Sequence, residues 1–173
     1  MNKFYITGIP GVGKSSVLIE LNKKGIRAID LDEISDLCCW KDESGERADY
    51  YPGMGKEWLD KNSYVCDLEK LKMILNDESD DLVIAGIVTN QEDLLRLFDK
   101  VFLLRCDEKI FLERLNTRDT NDFAKNESDQ QHILGFYKEF EVDMIKHGAI
   151  PINTNVSLDE VVEKIIFEMK NID

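Results

Sequence analysis

Eight residues near the start of the chain, Gly8-Ile9-Pro10-Gly11-Val12-Gly13-Lys14-Ser15, have the types and spacing of a phosphate-binding loop, G-x-x-x-x-G-K-S. Glycines there let successive backbone N–H groups turn inward around one anion. A helix that follows adds unpaired donors and the positive end of its dipole. Lys14 is placed to reach the β- and γ-phosphates of a nucleoside triphosphate, and the Ser15 hydroxyl to bind Mg²⁺. Gly8, Gly11, Val12, Gly13, Lys14, Ser15 and Ser16 are thus expected to hold the phosphates of a nucleoside triphosphate.

Two further groups of residues suit the same chemistry. Asp30 and Asp32 lie two apart on extended chain, so their side chains point the same way. Asp30 is expected to support the metal, and Asp32 to take a proton from a substrate hydroxyl. Arg114 and Arg118 are spaced to share one helix face and lead into a polar stretch holding Asn121 and Lys125. Cations there would surround the equatorial oxygens of a transferring phosphoryl group.

These residues need elements to position them. Phe4-Tyr5-Ile6-Thr7 reads as a buried strand before the loop, and Val17, Leu18 and Leu21 as a helix after it, ending near Lys24. Short strands are expected at 26–30, 82–86, 101–104 and 150–152. Helices are expected near 67–75, from Asn90 to Phe98 and from Glu108. Ser128-x-x-Gln131 reads as a capping box opening a helix to about His147, and Ser157-x-x-Glu160 as a second one opening the terminal helix. The terminal helix carries Leu158, Val161, Val162, Ile165, Ile166 and Met169 on one face. Strands alternating with helices imply right-handed crossovers and a parallel sheet covered on both sides. Residues 35–63 show no clear periodicity and are expected to form a functional loop or cap.

Composition narrows the partners. The chain has 173 residues, enough for one α/β domain. Its formal net charge of −13 disfavours nucleic acid, which needs a basic surface. No apolar run approaches the roughly 20 residues that span a bilayer. No leader is read ahead of the first strand, and the expected setting is cytoplasmic. Cys38, Cys39, Cys66 and Cys106 form no C-x-x-C pair, and His132 and His147 stand apart in sequence, which disfavours zinc. Adjacent Cys38 and Cys39 read as small buried apolar residues. Oligomeric state is not legible.

Taken together, Gly8 to Ser15, Asp30-Leu31-Asp32, Leu112 to Arg118 and Thr120 to Lys125 resemble the small phosphate-loop kinases, the adenylate-kinase-like and shikimate-kinase-like enzymes. The resemblance covers nearly the whole chain. It implies a three-layer α/β/α fold with a five-stranded parallel sheet in the order 2-3-1-4-5. It also implies one domain over 1–173, with a cap at about 33–75 and a lid at about 119–129. In that family the Arg-x-x-x-Arg helix enters the lid. By resemblance Arg114 would lie near the adenine, Arg118 near the phosphates, and Asn153-Thr154-Asn155 would form the adenine-flanking loop.

The departures from that family concern the acceptor. The third core strand ends in Gly86, where the usual metal-side acid is missing. The segment Gly86 to Gln91 just after that strand has no arginine, nor has the helix after the lid, and the stretch from Glu33 to Lys72 holds ten acids against six bases, with Arg47 its one arginine. The expected activity is therefore ATP- and Mg²⁺-dependent phosphoryl transfer to a nucleoside-like or other small hydroxyl compound, neutral or cationic. Asn90, Gln91 and the cap aromatics are candidates for contacting it. Two alternatives stand beside this reading: a nucleoside monophosphate kinase, and a nucleotide-dependent switch or slow ATPase without an acceptor.

Overall fold

The computed structural model describes residues 1–78, 80–117 and 123–171. In chain order the elements begin β1 (Lys3–Thr7), α1 (Lys14–Lys23), β2 (Arg27–Asp30), β3 (Cys38–Lys41), β4 (Arg47–Ala48), α2 (Gly55–Lys61), β5 (Ser63–Cys66) and α3 (Leu68–Asp77). They continue β6 (Leu82–Ala85), α4 (Gln91–Leu95), β7 (Lys100–Arg105), α5 (Glu108–Thr117), α6 (Glu127–Lys146), β8 (Ile150–Asn153) and α7 (Leu158–Lys170).

Five strands form one parallel sheet in the order β2-β6-β1-β7-β8. Counted by themselves along the chain, they run 2-3-1-4-5, as expected. Alternation along β1 explains the two covered faces. Phe4 and Ile6 point to one side, where α1, α5 and α7 bring Leu21, Phe111 and Ile165. Tyr5 points to the other, where α3 and α4 bring Leu71 and Leu94. All of these side chains are fully buried. The long helix α6 contributes to both sides, through Ile133 and Met144.

Helix boundaries follow their caps. Ser157 and Glu160 complete a reciprocal capping box at α7. The expected box at Ser128 is not formed. Asn126 caps α6 by accepting from the Asp129 N–H at 2.9 Å, and Ser128 lies inside the first turn. The Ser128 hydroxyl instead accepts the Lys56 N–H of α2 at 2.9 Å, tying the two helices together. The helix expected from Asn90 to Phe98 is shorter, Gln91–Leu95.

The stretch read as lacking regular structure forms a second sheet. Its three short strands are antiparallel, in the order β4-β3-β5. The Asp67 N–H donates to Leu37 O directly opposite at 2.9 Å, so that pair is hydrogen-bonded. By alternation Cys38–Cys66 and Trp40–Tyr64 are then the non-hydrogen-bonded pairs, where side chains come closest. Cys38 and Cys39 are half-buried rather than buried. The Cys38 and Cys66 thiols share a hydrogen bond, which with burial pushes the Cys38 thiol up.

The second sheet is held against the first by the loop after β6. The Thr89 N–H donates to Tyr64 O at 2.7 Å, and the Thr89 hydroxyl accepts the Tyr64 N–H at 3.1 Å. Asn90 makes two more bonds to the Cys66 backbone, each 2.9 Å.

Candidate functional site

The loop between β1 and α1 is built for close approach. Gly8, Gly11 and Gly13 have φ of +147°, +90° and +103°, values that L side chains adopt only with strain. A Cβ on Gly8 would lie 2.5 Å from Leu104 O, and one on Gly11 would lie 2.7 Å from Phe111 O. Val12, buried between them, pins the loop to the core. Gly13 caps α1 without a side chain, so the first N–H groups of that helix are left to an outside acceptor. The Lys14 ammonium donates to Gly8 O at 2.6 Å and to Ile9 O at 3.2 Å, which folds it over the loop. Ser15 and Ser16 are exposed at the first turn.

Asp30 ends β2 at the same edge of the sheet. Its carboxylate accepts the Asp32 N–H at 3.1 Å and so caps the short turn Leu31–Glu33. Between the two acids, Leu31 turns inward and is 1% exposed. A Cβ on Gly86, at the end of β6, would lie 2.6 Å from Leu31 Cδ1. Leu31 therefore fills the space that an acid after β6 would need. The carboxylates flanking it stand one strand over instead.

Burial raises the Asp30 carboxyl above the ordinary carboxylate range, against the opposing pull of the Asp32 N–H and the Lys14 charge. A carboxyl raised on folding binds its proton more tightly in the folded chain than in the unfolded one. Its penalty is absent below the unfolded value and complete above the folded one, so stability is lost as pH rises through that window. We expect Asp30→Asn, which keeps an oxygen to cap the turn, to raise the melting temperature of the ligand-free protein at pH 7. The gain should vanish toward acid pH. Thermal unfolding across pH checks this, and a variant no more stable than the parent at pH 7 refutes it.

Arg114, in the last turn of α5, bridges two loops. Its Nη2 donates to Thr154 O at 2.8 Å, and its Nη1 to Thr154 Oγ1 at 3.1 Å and to Val12 O at 3.4 Å. The guanidinium thus spans the phosphate loop and the turn after β8. Asn153, expected beside the nucleotide, uses its side chain to accept the Asn155 N–H at 3.0 Å. Thr154 and Val156, rather than Asn153, line the cavity. Arg118 and the first part of the expected lid, residues 119–122, lie outside the described residues.

One cavity of about 1560 Å³ joins these parts. Gly11, Gly13, Lys14, Ser15, Ser16, Asp30, Asp32 and Arg114 all reach its wall. Its far side is lined by Trp40, Tyr50, Tyr64 and Phe123. Trp40 sits 5.0 Å from Trp58, 5.6 Å from Tyr50 and 5.2 Å from Tyr64, measured between ring centroids. Rings that close pack on each other and leave no slot for a ligand between them. Only their outer faces are offered to the cavity, and Trp58 is not on its wall.

Two expected acceptor contacts have other partners. Gln91 is buried, donating to Thr7 Oγ1 at 2.8 Å, and Asn90 holds β5 as described. The histidines, apart in sequence, have acidic neighbours in space. His132 Nδ1 lies 2.8 Å from Asp60, and His147 groups with Asp143 and Glu92. Lys56 also pairs with Asp60. Arg47, on β4, does not line the cavity.

Sequence reasoning missed Tyr64. Its hydroxyl donates to Asp32 Oδ1 at 2.7 Å. The aromatic and β-branched run Tyr64-Val65 was a strand signal, but nothing in the sequence showed that it would face Asp32.

Comparisons with known proteins place this geometry in context. The family described as AAA domain matches residues 5–135. A protein of Archaeoglobus fulgidus named "Putative adenylate kinase" is 26% identical over 165 residues, spanning 92% of this chain and 78% of its own length. Shikimate kinase from Acinetobacter baumannii, solved in complex with shikimate, superposes with a TM-score of 0.60 at 18% identity, covering 100% of this chain and 96% of its own. Deoxyadenosine kinase from M. mycoides, solved with bound dATP, gives a TM-score of 0.56 at 14% identity, covering 98% and 100%. At those identities the structural likeness concerns the fold.

Proposed function

We propose, for a chain that belongs to the AAA domain family and has the fold of the small phosphate-loop kinases, that it is an ATP- and Mg²⁺-dependent phosphotransferase acting on a small hydroxyl compound. The observation that carries the reading is one cavity shared by these parts. Its wall holds a phosphate loop, an arginine, two carboxylates and, beyond them, room for a second molecule.

The parts divide as follows. The backbone N–H groups of the loop and of the α1 N-terminus cradle the β- and γ-phosphates. Lys14 swings from its loop carbonyls onto the transferring group, and Arg114 adds charge from beside the loop, where it reaches Val12 O and Thr154. The donors available to a metal are hard oxygens, the Ser15 hydroxyl and the Asp30 carboxylate, which suit Mg²⁺. The burial that raises the Asp30 carboxyl gives it reason to sit beside a cation. When bound there with nucleotide, the ion would neutralise phosphate charge. Arg118 is proposed to join the phosphates, and residues 119–129 to close over them as a lid. Asp32 accepts the proton of the attacking hydroxyl.

Charge on the cavity wall selects the acceptor. Asp32, Asp60, Glu92 and Asp143 line it, while Lys56 and His132 are both spent on Asp60. Among the described residues, a dianionic phosphate entering beside these acids would shed water and find the nearby cations Lys56 and His132 already paired. A neutral or cationic hydroxyl compound, nucleoside-like or otherwise, meets no such penalty. The Archaeoglobus relative supports a second reading, transfer to a nucleoside monophosphate.

The test is a phosphoryl-transfer screen over nucleosides, nucleotides, sugars and amino alcohols, reading labelled product as well as ATP consumption. Matched nucleoside and monophosphate pairs at one ionic strength are expected to favour the nucleoside in kcat/KM. A preference of tenfold or more for the monophosphate, about 1.4 kcal/mol in transition-state binding, would replace the first reading by the second. ATP consumption with no labelled product from any compound would favour a slow ATPase.

A further inference from the structure

Asp32 has two carboxylate oxygens, and one of them already has a partner. Tyr64 donates its hydroxyl to Oδ1 at 2.7 Å. Tyr64 is itself fixed from three directions. Its backbone is bonded on both sides to Thr89, at 2.7 and 3.1 Å. Its ring rests against Trp40, the residue opposite it in the non-hydrogen-bonded register, with centroids 5.2 Å apart. The next residue but one, Cys66, is held by Asn90. The phenol is thus aimed at Asp32 by the strand, the loop after β6 and the aromatic cluster together. Burial and the Asp32 carboxylate both push the phenol well above its ordinary pKa, so it stays a donor at any working pH.

We propose that Tyr64 is the positioning residue for Asp32. By holding Oδ1 it fixes the carboxylate plane and leaves Oδ2 as the oxygen that takes the acceptor's proton. The proton moves from the attacking hydroxyl to Oδ2 as the new O–P bond forms and the bond to ADP breaks. Tyr64 keeps its own proton throughout. The inference rests on the reading of Asp32 as the base. It adds that the base is oriented from the second sheet, so the cap strand β5 and the nucleotide edge of the main sheet act on one atom.

A double-mutant cycle tests it, with Y64F, D32N and the double variant compared on the best acceptor found. Phenylalanine keeps the ring against Trp40 and removes only the hydroxyl. Y64F is expected to lower kcat about tenfold, while KM for ATP changes less than twofold. In the D32N background the same change should cost less than twofold, because its route of action is already gone. Equal losses in both backgrounds would overturn the inference and leave the base reading standing. Wild-type turnover in D32N would overturn the base reading and this inference with it. The contact is also read without any acceptor. With tyrosine labelled at Cζ, the Tyr64 carbon resonance, assigned by its disappearance in Y64F, should be displaced in D32A, which removes the accepting oxygen. An unmoved resonance means that the hydroxyl does not bond Asp32, and the inference fails whatever the kinetics.

Discussion

Replacing Lys14 by alanine is expected to lower phosphoryl transfer by about 100- to 1,000-fold and to leave the fold in place. The magnitude follows from the loss of one positioned charge at oxygens that gain negative charge in a partly enclosed site, about 3–4 kcal/mol. The fold should survive because the ammonium bonds two carbonyls of the loop itself, Gly8 O and Ile9 O, at the wall of the cavity. Alanine is also at least as good a helix former at the start of α1. Circular dichroism, thermal unfolding and turnover on the same preparation check both halves. A folded variant with wild-type turnover ends the phosphate-loop reading.

The second large effect is expected at Asp32. Asparagine there has nearly the same shape and can still accept from the Tyr64 hydroxyl, so packing should hold. It cannot take up a proton. We expect kcat for a hydroxyl acceptor to fall about 100-fold or more, with ATP affinity little changed. Asp30→Asn should behave differently, weakening the dependence on Mg²⁺ and nucleotide rather than the use of acceptor. If both substitutions give equal, small losses, the pair is reduced to solvated carboxylates at a strand end.

The parts of this molecule that were legible in the sequence share a property: their signals are local. The loop from Gly8 to Ser15 is set by glycines whose backbone angles only glycine tolerates, so the sequence states them outright. The continuous apolar runs of β1, β6 and β7 reflect burial on both faces, and with alternating helices they imply the parallel sheet. The capping box at Ser157 needs only residues three apart. What was not legible depends on distant partners. The strands β3, β4 and β5 have two to four residues each and are mostly half-buried, so neither alternation nor a long apolar run marks them. Asn126 and Ser128 are both good caps on paper. Contact with Lys56 decided which one was used for another purpose. Gln91 read as a candidate contact for the acceptor, and it is buried with its amide donating to Thr7 of β1. Gly86 looked like a missing acid, and Leu31, from the turn after β2, is the physical reason.

The second sheet gathers both tryptophans of the chain, Trp40 and Trp58, into one aromatic cluster. The tryptophan fluorescence of the protein therefore originates from a single region beside the cavity. A molecule laid against the outer face of Trp40 changes the polarity around one of only two emitters, and none of the signal is diluted by tryptophans elsewhere. Emission wavelength and quenching then report directly on that region, with no label added. Nucleotide acting at the phosphate loop and acceptor acting at the aromatic wall can be distinguished by titrating each alone. The unmodified chain is thus its own optical sensor for what binds beside Trp40.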